Sequence, residues 1–506
     1  MAGHHALTSR RRFLSAGLVG LTAKADRLIG GSFVNESFVV GHRLRDRAAF
    51  RQPTRKISIP LVIVGGGMAG LSAAWRLDKR GFRDFALIEM AAEAGGNARS
   101  GANEISAYPW AAHYVPIPNR KSPLVRELFE ELGLLRDGQW EERHLCFSPQ
   151  ERLFLHGRWQ EDLEPVIGST AEDRRQYRAF EARVQEFRAS GEFTIPIDLG
   201  AKASALDRVS MSDWMRQNKF NSPYLDWYVN YACRDDYGAL ASMVSAWAGI
   251  HYFASRENED KGPFTWPDGN GWIAKRLLAK LGRYVHTGAA VYRILRDGRR
   301  LRVLTEDAEY VTDAVIFAAP TFLAAYLMEG APTADGFEYS PWLTANLTLN
   351  RIPRERGVEM AWDNVIYDSP ALGYVVATHQ NLSSRTDRTV WTYYWALAQG
   401  SPAQNRKELI EKDWGYWKDA ILNDLSRAHP DIRACVSHID IMRMGHAMAR
   451  PSVGFLGSER RKNLANYRTG NIWFANSDLS GISIFEEAQY RGVRAAEGAL
   501  RALGRG

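Results

Sequence analysis

Cysteine is scarce in this chain of 506 residues: Cys146, Cys233 and Cys435 only. Their wide separation gives no metal-ligand spacing and no disulfide framework, and allows one bridge at most. No Ser-His-Asp, metal-binding or Walker pattern stands out, and there is no internal repeat or low-complexity segment. The apolar stretch at residues 15–23 is far short of the roughly 20 residues a membrane-spanning helix needs. Net positive charge is missing from most of the chain. Residues 1–56 hold 11 Lys+Arg and 3 Asp+Glu, a net +8 against +7 for the whole, so the other 450 residues carry −1. That argues against a nucleic-acid-binding body, whose basic stripe would lie on the fold itself. Lysine is absent between Lys280 and Lys407.

What is present is ordinary for a large globular protein. The chain is 45% hydrophobic and 24% charged, enough for two or three domains or one two-lobed fold. Sixteen Trp and 20 Tyr suit a planar cofactor or an apolar substrate, and equally suit large cores.

The N-terminus reads as an address. Ser9-Arg10-Arg11-Arg12-Phe13-Leu14 resembles the twin-arginine export motif, and Ala23-Lys24-Ala25 offers an A-x-A cleavage pattern after residues 15–23. The order implies a signal over residues 1–25, twin-arginine export machinery as partner and a periplasmic destination. Residues 26–56 remain as an arm, expected to pack across the surface of the fold.

An apolar run at 59–64 reads as a buried parallel strand. Gly65-x-Gly67-x-x-Gly70 follows, with Met68 and Ala69 between the last two glycines, and opens a helix through residue 77. Gly65 permits the tight turn, Gly67 the approach of a pyrophosphate, and Gly70 close helix–strand packing. The phosphates then meet unpaired N–H groups at a helix N-terminus. A second strand at 85–88 ends in Glu89, nineteen residues past Gly70, where an acid can accept hydrogen bonds from ribose hydroxyls.

The next segment favours FAD over NAD. Gly95-Gly96-Asn97-Ala98-Arg99-Ser100 follows Glu89 as a second glycine pair with a charged fork. Here the chain resembles the flavin-containing amine oxidase and phytoene desaturase superfamily. Four later segments are similar to that family too. They are the turn from Trp266 to Gly271, the strand-like stretch around Val291, the 313–320 strand, and the C-terminal pair of 471–478 and the helix start at Ile484-Phe485-Glu486. The resemblance implies FAD as cofactor, with Val291 at the adenine end. It also implies that the N-terminus of the last helix, at Phe485 and Glu486, faces the flavin pyrimidine. The family's A-G-E reads Ala475-Asn476-Ser477-Asp478 here, one residue longer before the acid that Asp478 supplies.

The implied architecture is α/β and two-lobed. A Rossmann-type FAD-binding domain is assembled from residues 57–130, 262–330 and 445–506. A mixed α+β substrate domain comes from 131–261, expected to be largely helical, and 331–444. Strands are expected at 343–350, 374–378 and 389–395, and one amphipathic helix at 408–428. Period-2 alternation puts Trp391, Tyr393 and Trp395 on one face, as pocket lining or as sheet packing.

Catalytic candidates are few. Many amine oxidases of the family place a lysine near the flavin, and the matching position here is Asn346. His446, before the last FAD segment, could act as a base near the reacting carbon. His113, just beyond the glycine pair, is a second candidate. No metal site is expected. The leading function is oxidation of a small molecule, an amine by resemblance, through hydride transfer to FAD. The alternatives are a C–C desaturase or isomerase for a carotenoid-like substrate, and a non-catalytic flavoprotein acting as an assembly partner.

Overall fold

The computed structural model describes residues 28–34, 37–197, 203–257, 262–381 and 387–505. The export pattern and its cleavage site lie outside these residues.

Two sheets organise the molecule. The first has six strands in the order Val285–His286, Phe85–Ile88, Leu61–Val64, Ala314–Phe317, Ile472–Phe474 and Arg468–Thr469. All neighbours are parallel except the last pair. Its central strands are apolar at every position because both faces are covered. Leu61, Ile63, Leu87 and Ile316 pack under the helices Met68–Lys79, Gly271–Leu281 and Phe485–Ala502. Val62, Val64, Ile88 and Val315 meet a four-stranded sheet on the other side. Truncating one of these side chains, Ile63→Ala for example, costs roughly 2–5 kcal/mol. Gly492 allows the last helix to lie on the first: a Cβ there would sit 2.1 Å from the Ala69 carbonyl oxygen.

The second sheet has eight strands, in the order Gly30–Val34, Val436–Arg450, Glu338–Leu349, Thr389–Ala396, Gly373–Val376, Asp363–Ile366, Glu151–Leu155 and Arg158–Glu161. One face, with Leu343, Leu347, Trp391 and Ile439, packs against Leu409, Trp417 and Ile421. Trp391 and Tyr393 are therefore sheet packing, with Trp395 against the same core. The opposite face, with Tyr394, Val365 and Val375, meets Trp227 and Tyr231 of the helix Pro223–Tyr237. Ser222 caps that helix, Pro223 starts it, and Gly238 ends it in the left-handed conformation.

Several expectations need correction. The single helix at 408–428 is two, Pro402–Glu411 and Trp414–Leu425, because the Asp413 side chain caps a fresh start at the Tyr416 N–H. The 131–261 segment is helical only in part. Its hairpin Glu151–Leu155/Arg158–Glu161, turned by His156 and Gly157 at positive φ, joins the large sheet. The strand Val436–Arg450 runs across residues 444 and 445, where a domain edge was expected. The arm does more than lie on the surface. Gly30–Val34 is an edge strand of the large sheet, the helix Phe38–Arg45 follows, and Arg55–Ser58 pairs with Ala308–Thr312. No helix among the described residues is long and apolar enough to cross a membrane.

Candidate active site: a nucleotide cavity opening on an acidic one

The strand Leu61–Val64 delivers the chain into Gly65, whose φ of +104° is open to glycine and strained for other residues. A Cβ there would lie 2.8 Å from the Ala319 nitrogen, and one on Gly70 only 1.9 Å from the Gly65 carbonyl oxygen. The second glycine pair folds back onto the first: the Gly95 N–H donates to the Gly66 carbonyl at 2.8 Å. A Cβ on Gly96 would come within 3.0 Å of the Gly67 Cα. Two glycine motifs thus make one backbone cradle. No side chain caps the helix Met68–Lys79, so its first-turn N–H groups remain to receive an anion. The last helix, Phe485–Ala502, begins at Ile484 equally uncapped by a side chain.

These elements enclose a cavity of about 320 Å³. Among its walls are Gly65, Gly67, Met68, Ala69, Glu89, Gly96, Asn97, Ala98, Val291, Asp478, Phe485 and His446. Gly70 and Gly95 stand behind it as packing and turn residues. Arg99 also stands behind the wall, its Nε donating to the Gly96 carbonyl at 3.1 Å. Glu89 is oriented by the N–H groups of Gly66, at 2.6 Å, and Ala91, at 2.7 Å. Asp478 is committed within the protein: its carboxylate accepts from the Thr321 N–H, the Thr321 hydroxyl and the Tyr339 hydroxyl, each at 2.7 Å. Asn97 donates to the Ala447 carbonyl at 2.9 Å, tying the glycine pair to the long strand. Leu44 of the arm also lines the cavity.

A small cavity of about 160 Å³ shares Asn97, Asn270 and Phe485 with it, and a larger one of about 360 Å³ adjoins the small one. His113, Tyr114, Asp235 and Arg256 line both. The larger is walled by carboxylates, Glu151, Asp235, Asp236 and Asp363, and by aromatic rings including Tyr231, Tyr252 and Trp362. The nearest cation, Arg256, is paired with Glu486 of the last helix. Burial pushes the Glu151 and Asp235 carboxyls up to about 7, and neighbouring carboxylates add to the rise.

The sequence-derived candidates therefore separate. His113 faces the acidic side, stacked on Tyr394 with ring centres 4.4 Å apart. Its Nδ1–H donates to the Ala111 carbonyl at 3.2 Å, which leaves Nε2 as an acceptor. Burial lowers its pKa to about 4, so the ring is neutral at pH 7. His446 faces the nucleotide cavity instead, stacked on Phe322. Asn346 lines none of the three cavities; it donates to the Pro109 carbonyl at 3.1 Å and accepts from the Thr392 hydroxyl at 2.7 Å. Glu486 turns toward Arg256 and the small cavity, while Phe485 borders the nucleotide cavity. Glu151, Asp235, Asp363, Arg256 and Tyr394 carry no motif and were not legible as site residues. They come from strands, a helix and the bend after the helix Ala246–Ala254, far apart in sequence.

The fold is mixed α/β and two-lobed, with a Rossmann-like nucleotide domain. Residues 63–132 match the family model of the NAD(P)-binding Rossmann-like domain. No curated protein matches the sequence. Among solved structures, putrescine oxidase bound to putrescine superposes with a TM-score of 0.67 at 17% identity, covering 88% of this chain and 100% of that one. Cyclohexylamine oxidase from Brevibacterium oxydans IH-35A gives 0.66 at 15%, covering 88% and 99%. A CLA-producing fatty acid isomerase from P. acnes gives 0.63 at 14%, covering 87% and 98%. At such identities the likeness is one of fold.

Proposed function

We propose that this chain is an FAD-dependent oxidoreductase that oxidises a small amine. The observation that carries the reading is that a backbone-built nucleotide cavity stands next to one lined by carboxylates and aromatic rings, with a small cavity sharing walls with both. The residues present fit FAD: the glycine cradle leaves no room for side chains, two helix N-termini face the cavity uncapped, and the Asn270 Oδ1 is a buried acceptor without a partner. Gly65, Gly67 and Gly96 would hold the pyrophosphate, Glu89 and Val291 the adenosine end, and Phe485 the flavin end. Bound there, FAD supplies a two-electron acceptor for a hydride from the carbon that bears the amine.

The chain's own contribution is position and charge. The carboxylates draw a cationic substrate into the cavity, and the aromatic walls exclude water around it. His113, neutral and with a free acceptor nitrogen, can take a hydrogen bond from the amine without competing for its charge. Lysine lines none of the three cavities. A polyene or fatty acid is the alternative substrate on this fold, and the carboxylate lining weighs against it.

The test is spectroscopic. Purified protein should carry a flavin spectrum, and anaerobic amine should bleach it. Bleaching by polyenes alone would replace this reading with the desaturase or isomerase one. A flavin that no candidate reductant bleaches, on a chain that copurifies with a protein partner, would replace it with an assembly role. The proposal includes twin-arginine export of the folded protein, supported by Ser9-Arg10-Arg11-Arg12-Phe13-Leu14. Replacing Arg10 and Arg11 together by lysine should then hold the protein in the cytoplasm.

A further inference from the structure

The helix Phe38–Arg45 has little to hold it on its own account. Eight residues are too few to keep a helix in water without packing. Gly41 sits inside it, where a Cβ would meet nothing within 4 Å, and Val39 is 56% exposed. Leu44 is its only buried residue. Leu44 belongs to one apolar cluster with Val64, Ile88, Val291 and Leu327, and all five line the nucleotide cavity. The one apolar anchor of this helix is therefore also a wall of the cofactor site.

The same helix spans the gap between the two sheets. At its start, the Arg443 guanidinium of the long strand Val436–Arg450 lies 5.3 Å from the Phe38 ring centre and 3.7 Å from that of Phe33. Before it, Gly30–Val34 runs as a parallel ladder along that strand. After it, the chain is tied to the nucleotide side. Phe50 stacks on Tyr292 with ring centres 4.8 Å apart, and the Arg43 guanidinium lies 4.3 Å over Phe50. Glu306 accepts from Arg43 and from the Arg51 N–H, each at 3.0 Å. Arg55–Ser58 then pairs with Ala308–Thr312. The ion pairs Arg43–Glu306 and Arg51–Asp307 are open to solvent, so each holds weakly. The arm is thus seated at both ends and lightly held between them, with Leu44 against the cavity.

We infer that Leu44 is a cofactor-binding residue and that the arm is a strap closing the adenosine end of the FAD site. Val291 and Ile88 share the Leu44 cluster, whereas Phe485, at the flavin end, packs in a separate one. The inference rests on FAD as the cofactor, with its adenosine at Val291, and is independent of the substrate. Binding and strapping are then reciprocal. A bound adenosine gives Leu44 the contact that seats the helix, and a seated helix slows the escape of the cofactor.

The experiment uses the full flavin-loaded protein and follows FAD release after dilution by the return of free-flavin fluorescence. Leu44→Ala should release FAD about tenfold faster than the parent. Phe50→Ala combined with Glu306→Ala changes no residue that lines the cavity, and should release FAD about threefold faster because it unseats the strap. A merely structural Leu44 would lower the melting temperature of the flavin-free protein and leave release unchanged. A second measurement needs no variant. Trypsin cleavage after the exposed Arg45 and Arg47 should be about tenfold slower in protein loaded with FAD or ADP than in flavin-free protein. Riboflavin, which lacks the adenosine, should give no protection. Release at the parent rate in either variant, or cleavage at one rate in every state, overturns the inference. So does protection by riboflavin without protection by ADP. A chain that takes up neither FAD nor ADP removes the cofactor reading itself, and the strap with it.

Discussion

The nucleotide cavity is walled largely by backbone and small residues, such as Gly65, Gly67, Gly96, Ala318 and Ala319. The acidic cavity behind it is walled by large and charged side chains, such as Glu151, Asp235, Asp363, Tyr231 and Trp362. The first recognises a ligand part common to many proteins, using peptide N–H groups whose direction the helix sets. On the amine reading proposed above, the second would recognise what is particular to the substrate, using side chains whose charge the fold brings together at a cost. The generic site is therefore local in sequence, and the particular one is not.

The largest expected effect breaks the first region. Gly70→Ala puts a Cβ 1.9 Å from the Gly65 carbonyl oxygen, so the turn must move. Flavin affinity should fall on the order of 100-fold, read from the flavin-to-protein absorbance ratio of the purified variant. The next breaks the join between the regions. Arg256→Met strands Glu486, which is 1% exposed, without its cation. Stability should drop by about 3–5 kcal/mol in urea unfolding, and Glu486→Gln in the same chain should restore most of it.

The third effect has the opposite sign. The folded state holds a proton on Asp235 up to about 7, whereas an unfolded Asp releases it near its ordinary value. The folded state therefore binds more protons over that window, and stability is lost as pH rises through it. Asp235→Asn removes the penalty. Melts should show it more stable than the parent at pH 8, by roughly 1–2 kcal/mol after allowing for partial exposure, and no more stable at pH 4. The smallest effect concerns substrate. As pH rises from 6 to 8, Glu151 and Asp235 lose protons while an alkylammonium keeps its own, so KM for the amine should fall about threefold. His113 and His251 contribute no step there, because burial holds both near 4.

Legibility follows the same division. The strand Phe85–Ile88 and the turn from Gly65 to Gly70 are where periodicity and glycine spacing put them. So is most of the strand Thr389–Ala396. The face of that strand that matters for the site was not legible. Its aromatic alternation drew attention to Trp391, Tyr393 and Trp395, which pack into the core, while Tyr394 on the other face reaches the cavity. Alternation tells which residues share a face and is silent on what the face meets. The hairpin at residues 151–161 had a two-residue His156-Gly157 turn as its signal, hidden within a segment read as helical. The helix break at Lys412 had Asp413 as its signal, a capping residue inside an otherwise amphipathic pattern.

By itself the sequence determined the nucleotide turn, because the tight approach of backbone to phosphate demands glycine at fixed short spacings and an apolar strand before it. The large scarcity of cysteine and the near-neutral body were likewise decided there. Only the tertiary structure decided that Glu151 from a hairpin, Asp235 from a helix end and Asp363 from a sheet strand share one cavity. A carboxylate means nothing until its neighbours are known: in water it is a solvated surface charge, and beside two others in a cavity walled by aromatic rings it favours a cation.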